Sequence, residues 1–229
     1  MYISIIIPVL NEAGRIGPLV RYLLEQGAAL VREVIVVDAG SSDNTFQIAM
    51  EAGAALLHCP TSNRAAQMNT GASAASGDVL YFIHADTLPP PSFADDIAES
   101  IRQGYVMGCY RYKFDSPHFL LKINAYFNRF QWLWCQGGDK TFFIRKEVFR
   151  QLGGYDERHV IMEEYDFLRR AMPLYRLHII PKYAIVSARK YEHNGWARVQ
   201  LANIVTFNLW RLGVAPPYLK RLYKSMLKS

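Results

Sequence analysis

Val79-Leu80-Tyr81-Phe82-Ile83-His84-Ala85-Asp86 is the stretch that decides how this chain is read. An unbroken apolar run of this length suits a strand buried on both faces of a sheet. It stops at His84 and Asp86, two side chains able to hold a metal ion. A carboxylate at that point needs a reason, because burying an unpaired charge is costly. Open α/β sheets supply one, since their ligands lie in the crevice beyond the carboxyl ends of parallel strands.

The pattern recurs on the N-terminal side. Residues 3–9 form a second apolar run ending in Pro8-Val9-Leu10-Asn11-Glu12, and residues 34–37 a third ending in Asp38-Ala39-Gly40-Ser41-Ser42-Asp43. Between these runs, residues 17–30 put Leu19, Val20, Leu23 and Leu24 on one helical face, while 45–54 and 65–75 are Ala-rich segments of helical length. Alternating strand and helix predicts a mostly parallel sheet with right-handed crossovers. Further along, 141–144 and 183–186 read as strands, and a helix is expected to begin near Met162.

With 229 residues, 51% hydrophobic and 20% charged, the chain can bury one large core. Cys59, Cys109 and Cys135 are odd in number and widely spaced with no CxxC pair, so they read as ordinary buried thiols. The sequence shows neither a signal peptide nor an apolar run long enough to span a bilayer, which predicts a cytoplasmic protein. The net charge of +6 favours anionic surfaces in general, but the basic residues match no nucleic-acid motif.

The ordered series Pro-Val-x-Asn-Glu (8–12), Val-Val-Asp-x-Gly-Ser-x-Asp-x-Thr (36–45), Arg-x-x-x-x-Asn-x-Gly (64–71), x-Ala-Asp (84–86), Gly-Gly-Asp (137–139) and Gly-Gly-Tyr (153–155) followed by Glu163-Glu164 resembles family 2 glycosyltransferases of the GT-A fold, in particular a compact bacterial branch. The resemblance spans about four-fifths of the chain. It implies an α/β fold with a Rossmann-like central sheet and a helical C-terminal elaboration. Three parts follow: residues 1–104 as the nucleotide-sugar half, 105–195 as the acceptor and catalytic half, and 196–229 as an amphipathic helical extension. The implied enzyme is a hexosyltransferase-type transferase that moves a sugar from a nucleotide-diphosphate sugar to a hydroxyl acceptor with inversion, aided by Mn2+ or Mg2+.

Site roles follow from the same resemblance. Backbone at Pro8 and Val9 would line the base, with Asn11, Glu12 and Asp38 near the nucleoside. Ala39 stands where the family often has a second Asp, which leaves the donor nucleotide unassigned. Asp43 could contact ligand or cap the following helix. Arg64 would face the diphosphate, for which a fixed, forked cation is well suited; the alternative is a solvated surface Arg. Asp86 would bind the cation. His84, replacing the family's usual Asp, is a second ligand and donor-site residue or a packed histidine, and His193 a third ligand or a solvent-facing loop residue. Imidazole suits manganese better than magnesium. Glu164 occupies the place of the general base, with Glu163 beside it and Asp139 as the alternative base or acceptor contact. Glu163 and partial burial would raise the pKa of Glu164 toward neutrality. Acidic residues in a first helical turn also have a plain electrostatic reading.

Two stretches raise the question of a membrane. Residues 119–134 are aromatic with interspersed bases, and the segment from Tyr218 sets Lys220, Arg221, Lys224 and Lys228 among Leu219, Leu222, Tyr223, Met226 and Leu227. Such segments lie in an anionic bilayer interface, here the inner face, or dock on the protein itself or a second copy as a homodimer. Against the enzyme reading stands a degenerate domain that binds nucleotide-sugar or carbohydrate as a scaffold, motivated by Ala39, His84 and Glu164. A dehydrogenase fits poorly, because no G-x-G-x-x-G follows the first strand.

Overall fold

The computed structural model describes residues 1–27, 29–137 and 140–228. Strand and helix alternate through the first part: β1 (Ile3–Val9), α1 (Ala13–Gly27), β2 (Val31–Asp38), α2 (Thr45–Glu51), β3 (Ala55–His58), α3 (Arg64–Ala74) and β4 (Val79–Phe82). Then follow β5 (Thr87–Leu88), α4 (Phe93–Arg102), β6 (Met107–Phe114), α5 (Phe119–Phe127), β7 (Phe142–Arg145), α6 (Lys146–Gln151), α7 (Glu163–Ala171) and β8 (Leu177–Val186). The chain ends in α8 (Arg189–Asn194), α9 (Trp196–Arg211) and α10 (Pro216–Met226). Among the described residues no helix is long and apolar enough to cross a membrane.

Among the described residues, one eight-stranded sheet in the order β3-β2-β1-β4-β7-β6-β8-β5 organises the fold. The first four strands are parallel, as the alternation predicts. β7 departs from that pattern: it runs antiparallel to both β4 and β6, while β8 is parallel to β6 and β5 antiparallel to β8. The reason lies in the connection. β6 leaves the sheet at the end where β4 stops, the chain stays at that end through α5, and it re-enters as β7 without crossing over. β4, β6 and β8 therefore all finish on one edge, where the backbone N–H of Ser187 donates to the carbonyl of Asp86 at 3.2 Å.

Side chains alternate across the strands and divide the core. Ile3, Ile5, Ile7, Val34, Val36 and Tyr81 pack under α1 and α4, and Ile6, Ile35, Val37, Leu80 and Phe82 pack under α3, α6 and α7. On the second face α3 approaches β1 closely: a Cβ at Gly71 would lie 2.5 Å from Ile6 Cγ2. A smaller cluster of Phe114, Leu121, Val186, Ala188, Tyr191 and Val199 fastens α5, α8 and α9 to the ends of β6 and β8. Cys59, Cys109 and Cys135 are free and buried, as expected.

The first helix begins at Ala13 rather than near residue 17. Its entry is set by another loop: the Glu12 N–H donates to Thr45 Oγ1 at 2.8 Å and the Ala13 N–H to Asp43 Oδ2 at 3.2 Å. These partners lie some thirty residues away, so local pattern does not disclose them.

Candidate functional site

The ends of β1 and β2 are built as one interlocked turn. Asn11 adopts φ +57°, and its side-chain oxygen accepts the Ser42 N–H at 2.8 Å. Left-handed backbone is tolerated by Asn because its short polar side chain bonds locally. The Asp38 carboxylate, 4% exposed, accepts the Ser41 hydroxyl at 2.5 Å and the Ser41 N–H at 3.1 Å. Asp43 accepts the Thr45 N–H at 3.1 Å and also the Thr45 hydroxyl, so it caps α2. These hydrogen bonds, that from the Thr45 hydroxyl above all, hold its carboxyl below the usual range. Of the expected nucleoside contacts, Asp38 and the Val9 carbonyl are committed internally, Val9 to the Ala39 N–H and to Gln67. Pro8 is partly exposed next to them. Glu12 stands at the rim between two guanidinium groups, 3.3 Å from Arg15 and 3.3 Å from Arg189.

Beyond β4 the chain turns, the Thr87 N–H donating to the His84 carbonyl at 3.1 Å. His84 Nε2 lies 3.3 Å from Glu164 Oε1, and both side chains are 16% exposed. Arg64, at the first turn of α3, reaches Glu163 Oε1 at 3.5 Å, and Glu163 is buried. Thus α3, the β4 turn and the N-terminus of α7 bring Arg64, His84, Glu163 and Glu164 into one cluster. Burial pushes the Glu163 carboxyl up against the opposing pull of Arg64. Glu164 moves the other way: burial raises it, but the hydrogen bond and charge of His84, with Arg64, outweigh that and hold it below the usual range. The expected upward shift of Glu164 is therefore corrected, because its dominant neighbour is an imidazole and not Glu163.

Asp86 is half-buried, and its carboxylate makes no hydrogen bond or ion pair among the described residues. His193 lies on α8 with its side chain exposed. Among the described residues, Asp86, His84 and His193 are not a group with ligand atoms close enough to share one ion; Asp156, His159 and Asp166 are, within 4.8 Å. That second group is already charge-balanced. Arg158 bonds Asp156 at 2.7 Å, and Arg169 and Arg170 bond Asp166 at 2.8 and 3.0 Å. Asp139 lies outside the described residues.

A model of the family described as glycosyl transferase family 2 matches residues 4–165, a stretch that takes in every element from β1 to the start of α7. The chain belongs to glycosyl transferase family 2. Glucosyl-3-phosphoglycerate synthase of Mycolicibacterium smegmatis is 29% identical over 96 residues, covering 38% of this chain and 32% of that protein. Undecaprenyl-phosphate 4-deoxy-4-formamido-L-arabinose transferase of Klebsiella pneumoniae is 30% identical over 138 residues, covering 56% and 42%. The match thus spans less than half the length of these curated relatives. Among solved structures, glucosyl-3-phosphoglycerate synthase of Mycobacterium tuberculosis in complex with Mg2+ and UDP superposes with a TM-score of 0.62 at 19% identity, over 90% of this chain and 78% of that one. TarS 1–349 of S. aureus gives 0.66 at 14% identity, over 99% and 70%. At these identities the structures speak for the fold, a curled, largely parallel sheet flanked by helices.

Within this family 2 chain, three side chains of the site region escape sequence reasoning. Gln67, 5% exposed on α3, donates from Nε2 to the carbonyls of Val9 and Val37 at 2.9 and 2.8 Å, tying together the two strand ends that carry Asn11 and Asp38. Asn69, noted only as a motif position, pairs with the backbone of Tyr155 in both directions, at 2.9 and 3.0 Å, and so fixes the Gly-Gly-Tyr turn to α3. Lys140, buried, donates to the Asn128 carbonyl and to Gln136 Oε1, each at 2.7 Å, beside Glu164 in a narrow cavity that Gln136, Gly137 and Thr141 also line. Burial pulls its ammonium pKa down. A polar residue at an apolar helical position is the sequence signal for Gln67, and the Arg-x-x-x-x-Asn-x-Gly motif marks Asn69 without disclosing its partner.

Proposed function

We propose that the chain transfers a sugar from a nucleotide-diphosphate sugar to a hydroxyl acceptor by a single displacement with inversion, with Asp86 as the ligand of a divalent cation and Glu164 as general base. Residues 1–104 hold the donor, 105–195 the acceptor, and 196–229 form a helical extension. The observation that carries this reading is that the turn beyond β4 bears both Asp86, a half-buried carboxylate without a partner among the described residues, and His84, whose imidazole lies 3.3 Å from the Glu164 carboxylate.

Asp86 fits a hard cation through its oxygen chemistry and its uncompensated charge. Structures of the M. tuberculosis synthase with UDP and Mg2+ or Mn2+ support the choice of ion and of donor class. When bound, such an ion neutralises diphosphate oxygens as the leaving group gains charge. Arg64 adds a fixed positive charge on the same side and keeps the buried Glu163 compensated. His84 orients Glu164, which takes the proton of the acceptor hydroxyl as that oxygen bonds to the anomeric carbon. The bond from the anomeric carbon to the diphosphate breaks, and the nucleoside diphosphate departs. No enzyme-bound sugar forms. A general base is worth about 10²–10⁴-fold, and charge stabilisation in a water-poor cleft is the larger contribution. Relatives named as undecaprenyl-phosphate transferases support a lipid-phosphate acceptor, and the proposal includes peripheral attachment of the chain to the inner face of the membrane that would present it.

The test is release of nucleoside diphosphate from a panel of donors with Mn2+, comparing wild type and Glu164→Gln, with the anomeric configuration of the product read by NMR. The proposal expects an inverted product and a loss of turnover in the variant. A retained configuration, or a Glu164→Gln variant as fast as wild type, overturns it.

A further inference from the structure

Charge is not spread evenly along this chain. Residues 116–137 contain Lys122 and Arg129 and no carboxylate; residues 193–229 contain six Lys and Arg, again without a carboxylate. These two stretches hold eight of the 26 Lys and Arg and none of the 20 Asp and Glu, so together they carry +8 and the rest of the chain −2.

Topology brings the two together. The first follows β6 and the second follows β8, parallel strands that end on the edge of the sheet where β4 presents His84 and Asp86. Trp196 Nε1, at the start of α9, donates to Asn124 Oδ1 on α5 at 3.4 Å. At its other end α9 packs Phe207 and Trp210 against Tyr165 of α7, one residue past Glu164.

Both stretches also expose large apolar side chains. Phe119, Trp132 and Trp134 are 70%, 54% and 50% exposed, and Ile204 and Leu212 58% and 79%. Phe130, Trp132 and Trp134 stack in series with centroids 4.7 and 5.6 Å apart, so the indoles form a preordered ladder. Arg129 lies 3.9 Å over the Tyr126 ring. On α9 the inward face is Val199, Ala202, Thr206 and Trp210, which leaves Leu201 and Ile204 on the other side of the helix.

We infer that this acid-free aromatic surface docks on an anionic lipid bilayer, with the site edge of the sheet turned toward the headgroups. Indole and phenol rings prefer the level where hydrocarbon meets headgroup, and Lys and Arg around them gain from anionic lipid. Charge decides between occupants: a second copy meeting these stretches would set positive against positive, whereas phosphatidylglycerol supplies the complementary sign. The inference deepens the proposed function by naming the membrane partner and the surface that meets it. It rests on that reading only for what the membrane would present, and its test needs no turnover.

The experiment is co-sedimentation of the full chain with vesicles of phosphatidylcholine alone and of phosphatidylcholine with phosphatidylglycerol, followed by tryptophan fluorescence. Binding is expected to the anionic vesicles with a blue shift, weakened by 1 M salt, where the screening length falls to about 3 Å. Trp132→Ala/Trp134→Ala should weaken binding at least ~10-fold, and each of Lys220→Glu and Lys224→Glu about 5-fold or more, with thermal unfolding of all variants unchanged. Absence of binding by wild type, binding to neutral vesicles as strong as to anionic ones, or a wild-type dimer that Trp132→Ala/Trp134→Ala dissociates overturns the inference. Failure here leaves the glycosyl transfer reading standing, and loss of activity in Glu164→Gln leaves vesicle binding untouched.

Discussion

Gln67→Met removes two buried hydrogen bonds while conserving the length and nearly the volume of the side chain. Gln67 is 5% exposed, and its Nε2 reaches the carbonyls at the ends of β1 and β2. A net hydrogen bond contributes about 0.5–1.5 kcal/mol. The Val9 carbonyl retains the Ala39 N–H at 3.2 Å, so its loss falls toward the lower figure. The two together cost about 1–3 kcal/mol, or roughly 2–12 °C in Tm for a chain of this size at about 2–4 °C per kcal/mol. Urea and thermal unfolding measure it, with Gln103→Met as the control. Gln103 is exposed and donates to Glu99 on the same helix at 2.8 Å, so its replacement should stay within about 0.5 kcal/mol. Equal shifts for the two variants would refute the claim that Gln67 braces the strand ends. A stability loss confined to Gln67→Met should also lower donor affinity, because Asn11 and Asp38 sit on the braced segments.

Gly71→Ala is expected to destabilise by about 1–3 kcal/mol, since its Cβ would meet Ile6 Cγ2 at 2.5 Å and Val37 Cγ2 at 3.1 Å; denaturant midpoints report it, and a neutral effect would mean α3 can lift off β1 freely. Glu33 gives a pH signature. Burial raises its carboxyl, but hydrogen bonds from the Ser76 N–H and the Ser4 and Ser76 hydroxyls, each 2.7 Å from Oε1, outweigh burial and hold it below the usual range. A carboxylate depressed in the folded state stabilises above its unfolded pKa of about 4.3 and loses that contribution as pH falls through the folded value. The stability gap between wild type and Glu33→Gln should accordingly be full at pH 6 and close toward pH 3. A gap that widens on acidification would reverse the assignment.

The strand ends were legible because parallel sheets write themselves as apolar runs with polar stops. Residues 3–9, 34–37 and 79–83 announced β1, β2 and β4, and the polar residues after them fell on one edge. Helix α3 was legible from its Ala-rich composition, within a residue at each end. The direction of β7 was not, since residues 141–144 look alike whichever way the strand runs, and direction depends on where the preceding connection travels. Pairings across long separations were hidden for the same reason: nothing near Glu164 indicates that an imidazole eighty residues earlier will depress its pKa. The buried Lys140 was obscured by its type, because lysine is seldom buried and its partners here are the Asn128 carbonyl and the side-chain oxygen of Gln136.

The central claim is that Asp86 holds the cation that binds the donor, and calorimetric titration of uridine, guanosine, thymidine and cytidine diphosphate sugars tests it most directly, with Mn2+ and with chelator, on wild type and Asp86→Ala. The account predicts that wild type binds one donor with Mn2+ and loses most of that affinity in chelator, while Asp86→Ala binds weakly and equally in both. An Asp86→Ala variant that binds the donor with the cation dependence of wild type would contradict it.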